Sequence, residues 1–150
     1  MEILSNINQS EVFEGVFKIT GYTGKNIPEE KAFDSVVATT DEESLLADFW
    51  NDTISELLCE LKRYKPVLEE KEEGATFKFE LPESFDSNGV SCIENSLCSY
   101  VVNRICAKWF YISKKDEVAY YERECANLLV RIGRLLNARC TSVRRKQSPF

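Results

Sequence analysis

Two long stretches of apolar residues repeat at helical spacing and are separated by the short joint Ser113-Lys114-Lys115-Asp116. The first stretch carries a stripe at steps of four residues: Ile93, Leu97, Val101, Ile105 and Trp109. The second carries the stripe Val118, Tyr121, Cys125, Leu128, Leu129, Ile132 and Leu136. This spacing predicts two amphipathic helices, and the short joint predicts that they pack as an antiparallel pair. Because further apolar residues widen the first stripe, we expect that helix at the centre of the core.

Start and stop signals predict a third helix earlier in the chain. Residues 40–43 form a capping box, Thr-Asp-Glu-Glu, and apolar residues then recur at helical spacing until Pro66 ends the helix shortly after Tyr64. A second capping box, Ser-Cys-Ile-Glu at residues 91–94, predicts the start of the central helix. Ser113 is the predicted cap of the last helix. Gly133 within that helix indicates a close approach between helices.

The remaining apolar segments predict a small β element. Residues 12–19 favour a strand, with a short helix left open as the alternative. The glycines, asparagine and proline of residues 21–30 predict a loop, and residues 33–37 a short ordered piece after it. Residues 66–82 alternate apolar and charged side chains, which predicts a hairpin with its turn at Glu73-Gly74.

These elements predict a mainly α fold: an antiparallel helical bundle of three main helices with a small β-hairpin or sheet. A chain of 150 residues is long enough to bury a substantial core. We therefore expect one domain over residues 1–140. Residues 141–150 are polar and basic, and we expect them to form a flexible tail.

Charge is distributed unevenly along the chain. Residues 1–90 contain 20 acidic and 8 basic side chains, a net charge of −12, whereas residues 91–150 contain 5 acidic and 11 basic ones, a net charge of +6. The acidic side chains of the first predicted main helix fall at steps of four residues, so they share one face: Asp48, Asp52, Glu56 and Glu60. The basic side chains cluster near the end of the chain and include Arg139, Arg144, Arg145 and Lys146.

We interpret the acidic and basic groups as candidate partner-binding residues. Complementary surfaces of this kind would let copies associate head to tail, in rings or filaments. Two alternatives stay open: the acidic row is a solvated face, or the two halves neutralise each other within one monomer. A third use of the basic tail is nucleic-acid or regulatory binding, although a sequence pI of about 4.9 is far from the basic balance typical of such domains.

The residue inventory argues against an enzyme. The chain contains no histidine, which removes the usual general base, the usual zinc ligand and the usual switch near neutral pH. No nucleophile or phosphate-binding motif is present, and the six cysteines lack the paired spacing of a zinc site. We therefore predict no catalytic residue, no metal and no cofactor. Five of the cysteines fall in predicted helices and are interpreted as reduced, buried apolar residues: Cys59, Cys92, Cys98, Cys106 and Cys125.

No apolar run is long enough to cross a membrane, and the first residues lack the features of a secretory signal, so we predict no membrane association. Three segments carry a resemblance to a known group: FKITGYTG, TTDEESLLADFW and SCIENSLCSYVVNRICAKWF. Together with the closing helix and the basic tail, the layout resembles small structural proteins encoded in prophage morphogenesis clusters of gut bacteria. More loosely, it is similar to the helical head–tail connector proteins of tailed phages.

This resemblance covers residues 13–146 and transfers no functional residue. It implies a non-enzymatic ring component that forms homo-oligomers and contacts other virion proteins. It also implies a place in the host cytoplasm during assembly, with the virion as a further location. The predicted strands depart from the mostly helical pattern of the connectors.

Overall fold

The computed structural model of the protein describes residues 1–25, 38 and 42–140. Its regular elements are β1 (Glu2–Asn8), α1 (Gln9–Lys25), α2 (Glu43–Glu60), β2 (Val67–Lys71), β3 (Gly74–Glu80), α3 (Val90–Ser113) and α4 (Val118–Asn137). The mainly α fold class with a small antiparallel sheet is therefore confirmed. The described residues form four helices, one more than the sequence predicts.

The sheet has the strand order β1-β3-β2, and both pairings are antiparallel. The predicted hairpin is confirmed as β2 and β3, although the turn lies one residue earlier, at residues 72–73, and Gly74 already pairs with Asn8. A Cβ atom on Gly74 would overlap the carbonyl oxygen of Ile7 in the neighbouring strand. Glycine at this position therefore allows β1 to lie close to β3.

The strand predicted for residues 12–19 is wrong, because these residues belong to α1. The side chain of Asn8 accepts hydrogen bonds from the backbone amides of Ser10 and Glu11 and so caps the helix. The buried residues of α1 follow helical spacing: Val12, Val16, Thr20 and Gly24. Residues 21–25 of the predicted loop are also helical, whereas its remainder and the predicted ordered piece at 33–37 lie outside the described residues.

The helix starts differ from the predicted capping boxes. α2 begins at Glu43, and Thr40 and Asp41 lie outside the described residues. α3 begins at Val90, before the predicted cap, and Glu94 accepts a hydrogen bond from the amide of Asn6 in β1. The predicted cap of α4 is also wrong. Ser113 is the last residue of α3, where its hydroxyl donates to the carbonyl of Trp109, and a 3₁₀ turn over Lys115–Glu117 leads into α4.

The helix α3 lies at the centre of the core, as predicted. Its predicted stripe is buried throughout, and it contacts α1, α2, α4 and β1. The α3–α4 pair is antiparallel, with the rings of Phe110 and Tyr121 stacked at 5.2 Å between centroids. Gly133 lies beside the hydroxyl of Tyr64. The close approach between helices occurs instead at Gly15 of α1, where an added Cβ would lie 3.3 Å from Val102.

All six cysteines are free thiols. Cys106 and Cys125 are buried among apolar side chains, which confirms the prediction for these two residues. Cys59 and Cys92 are exposed and Cys98 is half-buried, so the prediction of burial is wrong for Cys59 and Cys92. Cys59 and Cys92 lie on the solvent side of their helices, which helical spacing alone assigns only when the neighbouring elements are known.

Candidate functional site

The predicted acidic row lies along α2, and its members have different surroundings. Asp48, Asp52 and Glu60 are exposed. Glu56 is half-buried against α3, where its carboxylate accepts hydrogen bonds from Arg104 Nε at 3.0 Å and Lys108 Nζ at 2.8 Å. One member of the row is therefore neutralised within the chain, as in the monomer alternative of the sequence analysis.

The two cations determine how Glu56 titrates. Partial burial raises the pKa of this carboxyl group, but the hydrogen bonds and the charges of Lys108 and Arg104 outweigh it. The pKa of Glu56 is therefore lowered from its ordinary value of 4.5. Glu56 is ionised at neutral pH, and the three side chains form one charged cluster that joins α2 to α3.

This cluster borders an open groove of about 260 Å³ between α2 and α4. The end of α3 forms its floor, and the first turns of α4 form one wall. The lining residues are Phe49 and Asp52 from α2, Arg104, Ala107, Lys108, Tyr111 and Ile112 from α3, and Val118 and Glu122 from α4. We call this surface the groove.

The groove combines exposed apolar surface with charge. Tyr111 is 62% exposed and Ile112 is 61% exposed, which is unusual for adjacent large apolar residues. Lys115 lies 5.5 Å from the centre of the Tyr111 ring, within the range of a cation–π contact. Tyr111 therefore already attracts one cation within the chain and presents its remaining surface to solvent.

The free charge of the groove is negative. Glu56 already binds Arg104 and Lys108. Asp52 and Glu122 stand on opposite walls, and neither makes an ion pair with a residue that the structure describes. The groove therefore presents two uncompensated carboxylates beside apolar side chains, a combination that suits a cationic and partly apolar ligand.

The predicted basic set lies away from the groove. Arg139 follows the C-terminus of α4, and its guanidinium donates to the carbonyls of Leu136 and Ala138, which the helix leaves without partners. Arg144, Arg145 and Lys146 lie outside the described residues. Their roles, and the alternative of nucleic-acid binding, stay predictions.

The ionisable groups beneath the groove are held in their neutral forms. Burial raises the pKa of Tyr100 to about 12 and that of the Cys125 thiol to about 11, and it also raises the pKa of Cys106. The thiol of Cys125 lies 3.9 Å from the carbonyl oxygen of Tyr100. Because the thiolate is the reactive form of cysteine, these groups serve as packed core residues at neutral pH.

Two further searches covered only the described part of the chain. Within it, no group of three or more histidine, cysteine, aspartate or glutamate side chains comes close enough to hold a metal ion. None of its helices is both long enough and apolar enough to span a membrane.

Sequence reasoning missed most of the groove. Arg104 and Lys108 are four residues apart on α3, the same spacing as the acidic row, and this match is the signal that could have paired the two helices. Tyr111 and Ile112 extend the apolar stripe of α3 beyond Trp109 and Phe110. Their exposure depends on where α3 ends and α4 begins.

Comparison of the chain with known protein families, with characterised proteins and with solved structures found no match. The likeness to prophage structural proteins therefore depends on the three quoted segments and the general layout alone. The groove is the part of the molecule from which a function is inferred.

Proposed function

We propose that this protein is a non-enzymatic structural or adaptor protein of the phage type, similar in role to a head–tail connector. It works by associating with copies of itself and with other virion proteins. It acts in the host cytoplasm during assembly, with the virion as its second location.

The groove is the observation that supports this proposal most. Tyr111 and Ile112 keep more than half of their surface exposed, and the unpaired carboxylates of Asp52 and Glu122 stand beside them. Exposed apolar surface with a polar rim is typical of interaction sites. Burying these two side chains in a contact would contribute about 1.5–3 kcal/mol each if they were fully exposed beforehand, and somewhat less from their actual exposure.

Light scattering over a concentration series tests the proposal directly. We expect the mass of the full chain to rise above 17.2 kDa with concentration, and to rise less at high salt because charge contributes to the contact. A mass that stays at the monomer value at every concentration and salt would overturn the proposal of self-association.

Two matched variants show whether the groove carries the association. Ile112→Ser removes an exposed aliphatic side chain from the groove, and Val130→Ser removes one from α4, where Val130 is 55% exposed. We expect Ile112→Ser to weaken the association and Val130→Ser to leave it unchanged. Equal losses in both variants would contradict a specific role of the groove.

A further inference from the structure

We propose that the groove binds the basic segment at residues 141–150 of a second copy of this chain. In sequence this segment contains three consecutive cations, Arg144, Arg145 and Lys146, with Val143 before them and Phe150 after them. The inference rests on the proposed self-association and names the two surfaces that meet. Each copy would offer its groove to one neighbour and its basic segment to another.

The charges of the groove favour such an occupant. Because Glu56 holds Arg104 and Lys108, the carboxylates of Asp52 and Glu122 are left to meet an incoming cation. A guanidinium group can bind a carboxylate through two parallel hydrogen bonds. The two carboxylates stand on opposite walls, so a run of adjacent cations can contact both.

The apolar floor suits the rest of the segment. Tyr111 and Ile112 present exposed apolar surface next to the carboxylates. Val143 and Phe150 flank the cations in sequence and supply apolar side chains that could cover this surface. The aromatic face of Tyr111 also attracts cations, as its contact with Lys115 illustrates.

The dimensions of α4 exclude the segment of the same chain. Val118 and Glu122 line the groove, and from them to Asn137 the axis of α4 measures about 28 Å and about 22 Å at about 1.5 Å per residue. The amide of Cys140 is held by the carbonyl of Ser84 at 2.8 Å, at the end of the domain where α3 begins. The chain therefore leaves the described part at the end opposite the groove.

From Cys140, even a fully extended chain carries the backbone of Arg145 only about 18 Å. That is less than the distance back to Glu122. The three cations therefore cannot lie in the groove of their own chain, but they can enter the groove of another copy. A contact between two different surfaces of identical chains is head to tail, so it continues into a ring or a filament.

Charge reversal on each surface tests the inference with the full-length chain. The groove variant is Asp52→Lys with Glu122→Lys, and the segment variant is Arg144→Glu with Arg145→Glu. A control variant, Glu72→Lys with Glu83→Lys, makes the same charge change at exposed residues outside the groove. Self-association is measured by sedimentation velocity at about 50 mM and about 500 mM salt. Thermal unfolding checks that each variant is folded.

We expect the groove variant and the segment variant each to raise the dissociation constant by at least about tenfold at low salt, and the control to leave it unchanged. A mixture of the two variants should associate again, because the intact segment of one meets the intact groove of the other. The variant that carries all four reversals should also associate, through reversed charges on both surfaces.

The outcomes separate this inference from the proposed function. If the unaltered chain stays monomeric, the proposal of self-association fails, and this inference fails with it. If the chain associates and the segment variant associates equally well, or if mixing the two variants restores nothing, only this inference is overturned. Binding of the segment variant to nucleic acid with reduced affinity, together with unchanged self-association, would likewise overturn it.

Discussion

Leu97 and Ile112 are aliphatic residues of the same helix, α3, yet the first is completely buried and the second is 61% exposed. Leu97 belongs to the sheet end of α3, residues 93–101, where Glu94 accepts a hydrogen bond from Asn6 of β1. Ile112 belongs to the groove end, residues 104–112, where α2 and α4 leave the floor open. The sheet end is thus closed by the chain itself, and the groove end is left incomplete.

This difference indicates how the molecule divides stability from interaction. At the sheet end, apolar burial dominates, and it is the term that stabilises folded domains most. At the groove end, the charged cluster of Glu56, Arg104 and Lys108 fixes α2 on α3 without covering Tyr111 and Ile112. Substitutions at the two ends should therefore have separable effects on folding and on binding.

The largest expected effect comes from truncating one aliphatic side chain at each end. Leu97→Ala should lower the free energy of unfolding by about 2–5 kcal/mol, because it leaves a cavity in the core. Ile112→Ala should change it by less than about 0.5 kcal/mol, because its side chain is mostly exposed. Chemical denaturation of both variants measures this. Similar losses in the two variants would show that the groove end is part of the folded core.

Two glycine substitutions should change stability in opposite directions. Gly74→Ala places a Cβ atom against the carbonyl of Ile7, so β1 must shift and the sheet end should lose more than about 1 kcal/mol. Gly21 lies within α1 with no atom near its Cβ position, so Gly21→Ala should stabilise the protein by about 0.5–1 kcal/mol. Thermal unfolding reports both changes. A neutral Gly74→Ala would mean that β1 adapts without loss.

The elements that could be predicted from the sequence are those whose own pattern decides their burial. The stripe from Ile93 to Trp109 is apolar at every fourth residue, so its helix and its central position follow directly. β1 was not predicted because Ser5 interrupts the alternation of Ile3 and Ile7. Ser5 is nevertheless buried, and its hydroxyl has no hydrogen-bond partner among the described atoms.

The errors elsewhere have a physical cause as well. In α1 the large aromatic side chains Phe13 and Phe17 are only partly buried, whereas the smaller Val12 and Val16 face the core. A sequence pattern gives most weight to the large side chains and so indicates the wrong face. The groove depends on the register between α2 and α3, which brings Glu56 to Arg104 and Lys108. No local pattern specifies that register.

A smaller effect is expected from the acidic row at the groove end. Glu56→Gln removes the two ion pairs and should lower stability at neutral pH by less than about 1 kcal/mol, because 38% of the Glu56 side chain is exposed to solvent. Asp52→Asn, one turn earlier on α2, is the matched control and should leave stability unchanged. The pair distinguishes a carboxylate used within the chain from one left free in the groove.

The pH dependence of this effect follows from the lowered pKa of Glu56. A carboxyl group with a lower pKa in the folded state stabilises the protein above its ordinary pKa of 4.5, and the contribution disappears as the pH falls through the folded-state value. The difference between the unaltered chain and Glu56→Gln should therefore be full at pH 6–7 and shrink below about pH 4.5. A difference that grows on acidification would contradict the assignment of these ion pairs.

The smallest expected effect concerns Lys65, on the connection between α2 at the groove end and β2 in the sheet. Lys65 adopts a left-handed conformation, with φ 50° and ψ 51°, which disfavours any residue with a Cβ atom. Lys65→Gly relieves that strain but increases the freedom of the unfolded chain, so the net stabilisation should be about 0.5 kcal/mol or less.

Lys62→Gly in the preceding 3₁₀ turn is the control, and we expect it to destabilise the protein because the lysine there has no strain to relieve. Chemical denaturation of the two variants gives the sign of each change. Since neither residue lines the groove, self-association should be unaffected in both. A change in association without a change in stability would mean that the connection transmits the position of β2 to the groove wall, and the two ends of α3 would then not be separable.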